Sequence, residues 1–410
     1  MTQTQARIAA EEKRQSKLPR RDLLLLPTLS LMTGVAMVVI LVFLAHKTFS
    51  KTTSNTKQCL NMNDPTGVRA IPNCEVWEKN PEAPSVNYKF NSCGHRAGME
   101  CGPKLPGSYR IVMVGSSYAF GQDVPRENTI AALLPIQLTE RTGRKVDLYN
   151  AAMILGYART VAMHFDAALA AQPDMILWVL TKYDLERAAV VGADLNFIPT
   201  SASGSTRAKI EYRVKQIMGM KTNSERIGFL EHYAEDLFRT SEAGTMLMHG
   251  LYQSQSLYMK AALIKRGDRL WYIEAKASPA SREYLRVFDS CAAQILDKAK
   301  TAGVPLVAVM VPDRVQAALL SKGDWSSDLD PLRLDEEVRN LIVNHGGTYV
   351  DILPSFRSIP DSEQYYLAAD GHPDERWQRI VTGLLVEKLT DGTIPALKVA
   401  EPLAAQARVR

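Results

Sequence analysis

Residues 110–120 decide the fold, and they read Arg-Ile-Val-Met-Val-Gly-Ser-Ser-Tyr-Ala-Phe. The apolar run from Ile111 to Val114 ends at Gly115, a pattern that predicts a buried strand followed by a turn into a helix. Ser116 and Ser117 lie at that turn. A serine in this position projects its hydroxyl from the end of the sheet and receives backbone N–H groups from the helix. Gly-Ser turns are common, so the turn alone does not identify a site.

The same alternation of strands and helices continues along the chain. Further strands are predicted at 146–149, 175–180, 305–311 and 348–353. Apolar side chains at helical spacing predict the first helix from Ile130 to Leu138 and the last from Trp377 to Leu385. Because the strands are apolar throughout, the sequence predicts an α/β fold, a three-layer sandwich with a parallel sheet between helices.

The chain divides into segments of different composition. In order, we predict a cytoplasmic basic tail (1–22), a transmembrane helix (23–45), a tether with a cysteine-containing lead-in (46–84), the α/β domain (85–390) and a loose tail (391–410). Within the domain, about 190–280 is polar and breaks the alternation. This stretch is predicted to be a helical insertion that caps one end of the sheet.

An uncharged stretch near the N-terminus predicts a membrane anchor. As a helix, the 23 residues from Leu23 to Ala45 reach about 35 Å, enough for a hydrocarbon core of about 30 Å. A cleaved signal peptide is the alternative, although its apolar region is usually about 7–15 residues long. The basic residues before the helix predict a cytoplasmic N-terminus. The main domain is then expected in the periplasm, anchored to a bacterial inner membrane.

The net charge of +5 is concentrated at the N-terminus, where residues 1–21 carry six basic and two acidic side chains. The remaining body is nearly neutral and offers no broad basic field to a nucleic-acid backbone. Nucleic acid is therefore not an expected partner.

Four of the five cysteines follow the membrane helix closely: Cys59, Cys74, Cys93 and Cys101. In an oxidising compartment they predict disulfides, and proximity favours Cys59 with Cys74 and Cys93 with Cys101, although sequence does not choose among the pairings. A zinc site from Cys93, His95 and Cys101 is the alternative, with only three ligands close together. Cys291 lies on an amphipathic helix and is predicted to be a buried thiol.

Chemistry-bearing residues also lie at the ends of two other predicted strands and just before the last predicted helix. They are Asn150-Ala151-Ala152 with Gly156, then Thr181-Lys182-Tyr183-Asp184, and finally Asp370-Gly371-His372 before the last helix. In a parallel α/β sheet, ligands gather outside the carboxyl ends of the strands. A histidine there can take a serine proton, and a carboxylate can orient the histidine. No phosphate loop, dinucleotide fingerprint or complete metal motif occurs, so no cofactor and no metal are predicted.

Together and in this order, these features resemble the SGNH (GDSL-type) hydrolase superfamily, especially its bacterial membrane-anchored members similar to polysaccharide O-acetyltransferases. The resemblance covers about 85–190 and 280–390 and includes the segment from Tyr88 to Arg96. It implies a flavodoxin-like sheet with Ser117 as nucleophile and oxyanion donor, His372 as general base and Asp370 as its acidic partner.

The oxyanion donors are less clear. Ala152 or Gly156 matches the family's second backbone donor, and the spacing leaves both open. Ser116 stands where the family has aspartate, and Tyr183 stands where it has an oxyanion-donating asparagine. Losing one donor costs about 10²–10³ in turnover, although a tyrosine hydroxyl can also donate.

Two functions follow from the resemblance. The first is an extracytoplasmic serine esterase or O-acyltransferase acting on an acylated polysaccharide or other envelope glycan. Acyl transfer would need a membrane protein partner to supply the donor, because only one hydrophobic stretch is long enough to span a membrane. The alternative is a catalytically degenerate relative that serves as a binding or scaffold module in an envelope assembly.

Overall fold

The structure is a computed structural model that describes residues 20–49, 56–62, 64, 67–96, 98–189, 241–264 and 270–399. Helix α1 spans Arg20–Phe49 and is followed by four short strands, β1 (Leu60–Asn61), β2 (Arg69–Ala70), β3 (Glu75–Lys79) and β4 (Ser85–Lys89). The next elements are β5 (Tyr109–Gly115), α2 (Ser117–Phe120), α3 (Ile130–Thr142), β6 (Val146–Asn150), α4 (Ala158–Ala170), β7 (Met175–Leu180) and α5 (Lys182–Ala188). The last are α6 (Glu242–Tyr252), α7 (Gln255–Ile264), α8 (Pro279–Thr301), β8 (Leu306–Met310), α9 (Arg314–Lys322), α10 (Arg333–Asn344), β9 (Thr348–Tyr349) and α11 (Glu375–Thr390).

Five parallel strands form the central sheet in the order β6-β5-β7-β8-β9. In β5, Val112 pairs with Tyr149 of β6 on one side and with Ile176 of β7 on the other. Every residue of β5, β6, β7 and β8 is buried, which explains the continuous apolar runs within β5, β7 and β8. The predicted α/β fold is confirmed. The strand order reverses at β5, so the carboxyl end of β5 is the place where such sheets bind ligands.

The helices cover the sheet in groups. Helices α3 and α11 pack against each other, and α8 packs against both α4 and α5. On α8, the buried side chains Phe288, Ala292 and Ile295 recur at helical spacing and face the core, as does Cys291, the predicted buried thiol.

The segment predicted as a tether is folded from Thr56 onward. Strands β3 and β4 form an antiparallel hairpin, and its Val76, Val86 and Tyr88 are buried in the core. The favoured disulfides are both present: Cys59–Cys74 with Cα atoms 5.5 Å apart and Cys93–Cys101 with Cα atoms 6.0 Å apart. The zinc alternative is therefore wrong, because two of its three ligands are joined to each other.

The other predicted boundaries also shift. Residues 190–240 of the predicted insertion lie outside the described residues, and α6 and α7 occupy part of the rest. Leu270 to Ile273 are buried in the core, so the packed domain resumes before 280. In the predicted tail, Ile394 and Leu397 are buried, so packing continues beyond 390, whereas residues 400–410 lie outside the described residues.

Helix α1 contains the one described segment long and apolar enough to cross a membrane, Thr28–Lys47, with a mean hydropathy of 2.5. Most of its apolar side chains are exposed, from Leu29 to Leu44. Near its C-terminal end α1 packs against α6, where His46 Nδ1 lies 2.9 Å from Glu242 Oε2.

Candidate active site

The turn that carries Ser116 and Ser117, predicted to be the nucleophile turn, connects β5 to α2. Gly115 has φ +147°, and a Cβ there would overlap the carbonyl oxygen of Val179 in β7. Only glycine lets the two strands approach so closely at this point. Ser117 follows as the first residue of α2 and is half-buried. Its N–H has no carbonyl one turn earlier to bind, so it is available to a ligand.

The structure brings Ser117, His372 and Asp370 together. His372 Nε2 lies 3.0 Å from Ser117 Oγ, and His372 Nδ1 lies 2.5 Å from Asp370 Oδ1. The His372 backbone N–H also donates to Asp370 Oδ1, at 3.1 Å. This is the geometry that a serine, a general base and an orienting carboxylate require for nucleophilic catalysis.

The opposite charges of His372 and Asp370 favour the ionised form of each side chain. Burial alone would lower the pKa of His372, but the Asp370 carboxylate outweighs it and raises the pKa above the usual 6.5. Burial alone would raise the pKa of Asp370, but the His372 charge and hydrogen bonds lower it to about 2. Asp370 therefore stays ionised, and its charge strengthens the binding of a proton to His372.

Asp123 is a second carboxylate at this place, and the sequence analysis missed it. Its donor oxygen and those of Asp370 and His372 all lie within 4.8 Å of one another. Burial, and then the charge of Asp370, raises the pKa of Asp123 to about 6. Asn80 donates to Asp123 Oδ2 at 3.0 Å. A cation held by this group would compete with the contacts among Ser117, His372 and Asp370, because two of its three ligands take part in those contacts.

The predicted second oxyanion donors are not free. The Ala152 N–H donates to Asn150 Oδ1 at 3.1 Å, and the Gly156 N–H donates to the Met153 carbonyl at 2.8 Å. Because the loop after β6 folds back on itself, both N–H groups donate to acceptors within that segment. The expectation that one of them serves the oxyanion is therefore not met in this conformation.

Tyr183, the predicted side-chain donor, lies beside a buried ion pair. Lys182 Nζ is 3.0 Å from Asp313 Oδ2 and 4.9 Å from the centre of the Tyr183 ring. The Lys182 charge would lower the pKa of Tyr183, but burial and Asp313 outweigh it and raise the pKa. The phenol therefore keeps its proton, although the described residues show no hydrogen bond between Tyr183 and Ser117.

Ser116, which stands where the resemblance has an aspartate, is buried and hydrogen-bonded. Its hydroxyl donates to Asp184 Oδ2 at 3.2 Å, which ties the nucleophile turn to the start of α5. Thr181 donates to the same oxygen through its N–H at 2.8 Å and its hydroxyl at 2.7 Å. Asp184 was quoted in the sequence motif without a role, and the structure makes it a buried support of the turn.

Two open cavities are lined in part by the β3–β4 hairpin and its turn. One, of roughly 650 Å³, runs between the β3–β4 hairpin, residues 98–100 and residues 125–127. Trp77 lines it with 59% of its surface exposed and faces Asn87 across the hairpin. The second, of roughly 600 Å³, reaches Asp123 and Ala368, and both cavities are lined by Pro125.

No family model matches the chain, and no curated protein matches it. Among solved structures, it is similar to a psychrotrophic esterase from a Pseudoalteromonas species, with a TM-score of 0.35 and 8% identity over 68% of this chain and 96% of that one. It is also similar to a mutant acetyl-xylooligosaccharide esterase from Geobacillus, with a TM-score of 0.36 and 11% identity over 68% and 94%. A third is a lipase/acylhydrolase from Enterococcus faecalis, with a TM-score of 0.33 and 9% identity over 68% and 95%.

Proposed function

We propose that this chain is a membrane-anchored, extracytoplasmic serine esterase or O-acyltransferase that acts on an acylated envelope glycan. The observation that carries the proposal is the relay of Ser117, His372 and Asp370, with spacings of 3.0 Å and 2.5 Å. Ser117 lies 255 residues from His372 in the sequence, and the fold brings the two side chains into contact. A purely structural role does not require a serine hydroxyl against the second ring nitrogen of a histidine that is paired with a carboxylate.

The relay supports a two-step acyl transfer. Ser117 Oγ attacks the ester carbonyl while His372 Nε2 takes its proton, and the Ser117 N–H stabilises the oxyanion. The tetrahedral intermediate expels the glycan hydroxyl, which receives the proton from His372. Water or a sugar hydroxyl then attacks the acyl-enzyme by the same route and releases Ser117. Hydrolysis and transfer differ only in which acceptor enters the site.

Exposed Trp77 supports a glycan as the acyl carrier. An indole in an open groove lined by amide and charged side chains offers a flat apolar face and hydrogen bonds, the combination that a pyranose ring requires. We expect Trp77→Ala to raise KM for O-acetylated polysaccharide about tenfold and to leave hydrolysis of p-nitrophenyl acetate unchanged. Equal effects on both substrates would remove this support.

The anchor and compartment belong to the proposal as well. The segment Thr28–Lys47 supports a membrane-spanning helix, and the two disulfides support an oxidising compartment such as the periplasm. A transfer reaction would draw its acyl donor from a membrane protein partner.

The second candidate is a non-catalytic binding or scaffold module. It is favoured by the internal hydrogen bonds of the Ala152 and Gly156 amides, which leave Ser117 with one evident backbone donor. Oxyanion stabilisation would then be too weak for efficient turnover.

A fluorophosphonate probe separates the two candidates. The full chain in detergent is treated with the probe, beside Ser117→Ala, His372→Ala and the neighbouring Ser116→Ala as a matched control. We expect labelling of the wild type and of Ser116→Ala and no labelling of the other two. A folded wild type that takes up no label would contradict the enzyme function and favour the scaffold function.

A further inference from the structure

We infer that Glu82 is a positioning residue that holds the loop bearing Asp370 and His372, and that helix α6 holds Glu82 through His249. This inference rests on the proposed function, since it assigns a role in the same relay. Glu82 lies in the turn between β3 and β4, and its side chain is only 1% exposed.

The Glu82 carboxylate binds the backbone next to the catalytic acid. Its oxygens accept from the Ala369 N–H, at 3.0 Å to each, and Oε2 accepts from the Asp370 N–H at 2.8 Å. Hydrogen bonds to a charged acceptor are roughly twice as strong as neutral ones. They fix the backbone from which the Asp370 side chain reaches His372, and Gly371, with φ +88°, follows directly.

A second side chain holds the same loop from the other side. Arg314 donates to the Ala368 carbonyl at 2.6 Å and to the Glu363 carbonyl at 3.2 Å. The Arg314 guanidinium therefore binds the carbonyl of Ala368, and the Glu82 carboxylate binds the N–H of the next residue, Ala369. The loop has further hydrogen bonds besides these, within itself from Leu367 N–H to the His372 carbonyl at 2.8 Å and from outside from the Tyr118 hydroxyl to the Gly371 carbonyl at 3.2 Å.

Glu82 and Arg314, the two side chains that bind the loop, also contact helix α6. His249 Nδ1 lies 2.6 Å from Glu82 Oε1, and Arg314 donates to the Tyr252 carbonyl at the end of the helix. The N-terminal end of α6 contacts α1, the apolar helix, through Glu242 and His46. A continuous set of contacts thus runs from α1 through α6 to Asp370. The position of the catalytic acid depends on α6 being docked.

The test uses the full chain in detergent, with Glu82→Ala, Glu82→Gln and His249→Ala. His345→Ala is the matched control, because His345 Nε2 lies an equally short 2.7 Å from Asp289, away from the site. We expect kcat for p-nitrophenyl acetate to fall about 10²-fold in Glu82→Ala with KM little changed, as for a misplaced catalytic group. Glu82→Gln retains one acceptor oxygen and should recover part of kcat. His249→Ala should lose less than Glu82→Ala, and the control should lose nothing.

Two further readouts distinguish positioning from a structural role. The acid limb of the pH profile should move to lower pH in Glu82→Ala, because His372 loses part of the carboxylate contact that raises its pKa. Hydrogen exchange should accelerate in the peptide 366–374 while the core strands stay protected.

Each outcome has one meaning. A folded Glu82→Ala variant with unchanged kcat, pH profile and exchange overturns the inference. So does an effect of His345→Ala as large as that of His249→Ala. A wild type that is inactive but shows the Glu82-dependent exchange overturns the proposed function and leaves the structural hold on the loop intact.

Discussion

Asp184→Asn should change how the stability of this protein depends on pH. Asp184 is fully buried, and burial raises its pKa from 3.8 to about 7. The folded state therefore holds a proton that the unfolded state has released between these two pH values. The contribution of Asp184 to the free energy of unfolding is therefore most favourable below pH 4 and falls as the pH rises through this window, by about 4 kcal/mol at 1.36 kcal/mol per pKa unit.

Asparagine removes this dependence without removing the contacts. Its amide oxygen can accept from Thr181 and Ser116 as Asp184 Oδ2 does, and its NH₂ group takes the place of Oδ1, which has no partner among the described residues. Urea unfolding at pH 4 and pH 8, followed by tryptophan fluorescence, measures the difference. We expect the wild type to lose about 4 kcal/mol more than the variant over this range. Other buried carboxyls are common to both proteins and cancel, so parallel pH curves would refute the reasoning.

Three further substitutions test the site and its support. Asp370→Asn should lower kcat about 10⁴-fold. It should also move the acid limb of the pH–rate profile to lower pH, because His372 loses the charge that raises its pKa. An unshifted limb would contradict the pairing of His372 with Asp370. Arg96→Met should lower the free energy of unfolding in urea by about 3 kcal/mol, since the buried guanidinium donates to three backbone carbonyls. A loss below about 1 kcal/mol would show that these hydrogen bonds contribute little. Gly115→Ala should lower the free energy of unfolding in urea by about 3 kcal/mol or more. Gly143→Ala should lower it by about 1 kcal/mol, because Gly143 has φ +68° but open space around it. Similar losses in both variants would disprove the close approach of the strands.

The sheet could be predicted because its signal is local. Strands β5, β7 and β8 are buried on both faces, so burial appears directly as runs of apolar residues. The β3–β4 hairpin was missed for the opposite reason. Only alternate residues such as Val76, Val86 and Tyr88 face the core, and the polar residues between them resemble a tether. The alternation was present but too short to outweigh the composition.

The site could be predicted only in part. Ser117 follows a recognisable strand end, Asp370 and His372 precede the last helix, and the resemblance assigns their roles. Glu82 and Asp123 meet the relay from segments without a motif, and Glu82 lies 288 residues from Asp370 in sequence. The use of the Ala152 and Gly156 amides depends on how the loop after β6 closes, which no spacing rule specifies.

The early start of the folded lead-in limits how far the α/β domain can lie from helix α1. Helix α1 ends at Phe49 and the packed lead-in begins at Thr56, so even a fully extended connection spans only about 25 Å. Under the proposed anchoring, the enzyme works within a thin shell along the outer surface of the membrane. Its substrate must come to that shell, which favours glycan chains still being assembled or exported there over material already placed in distant layers of the envelope.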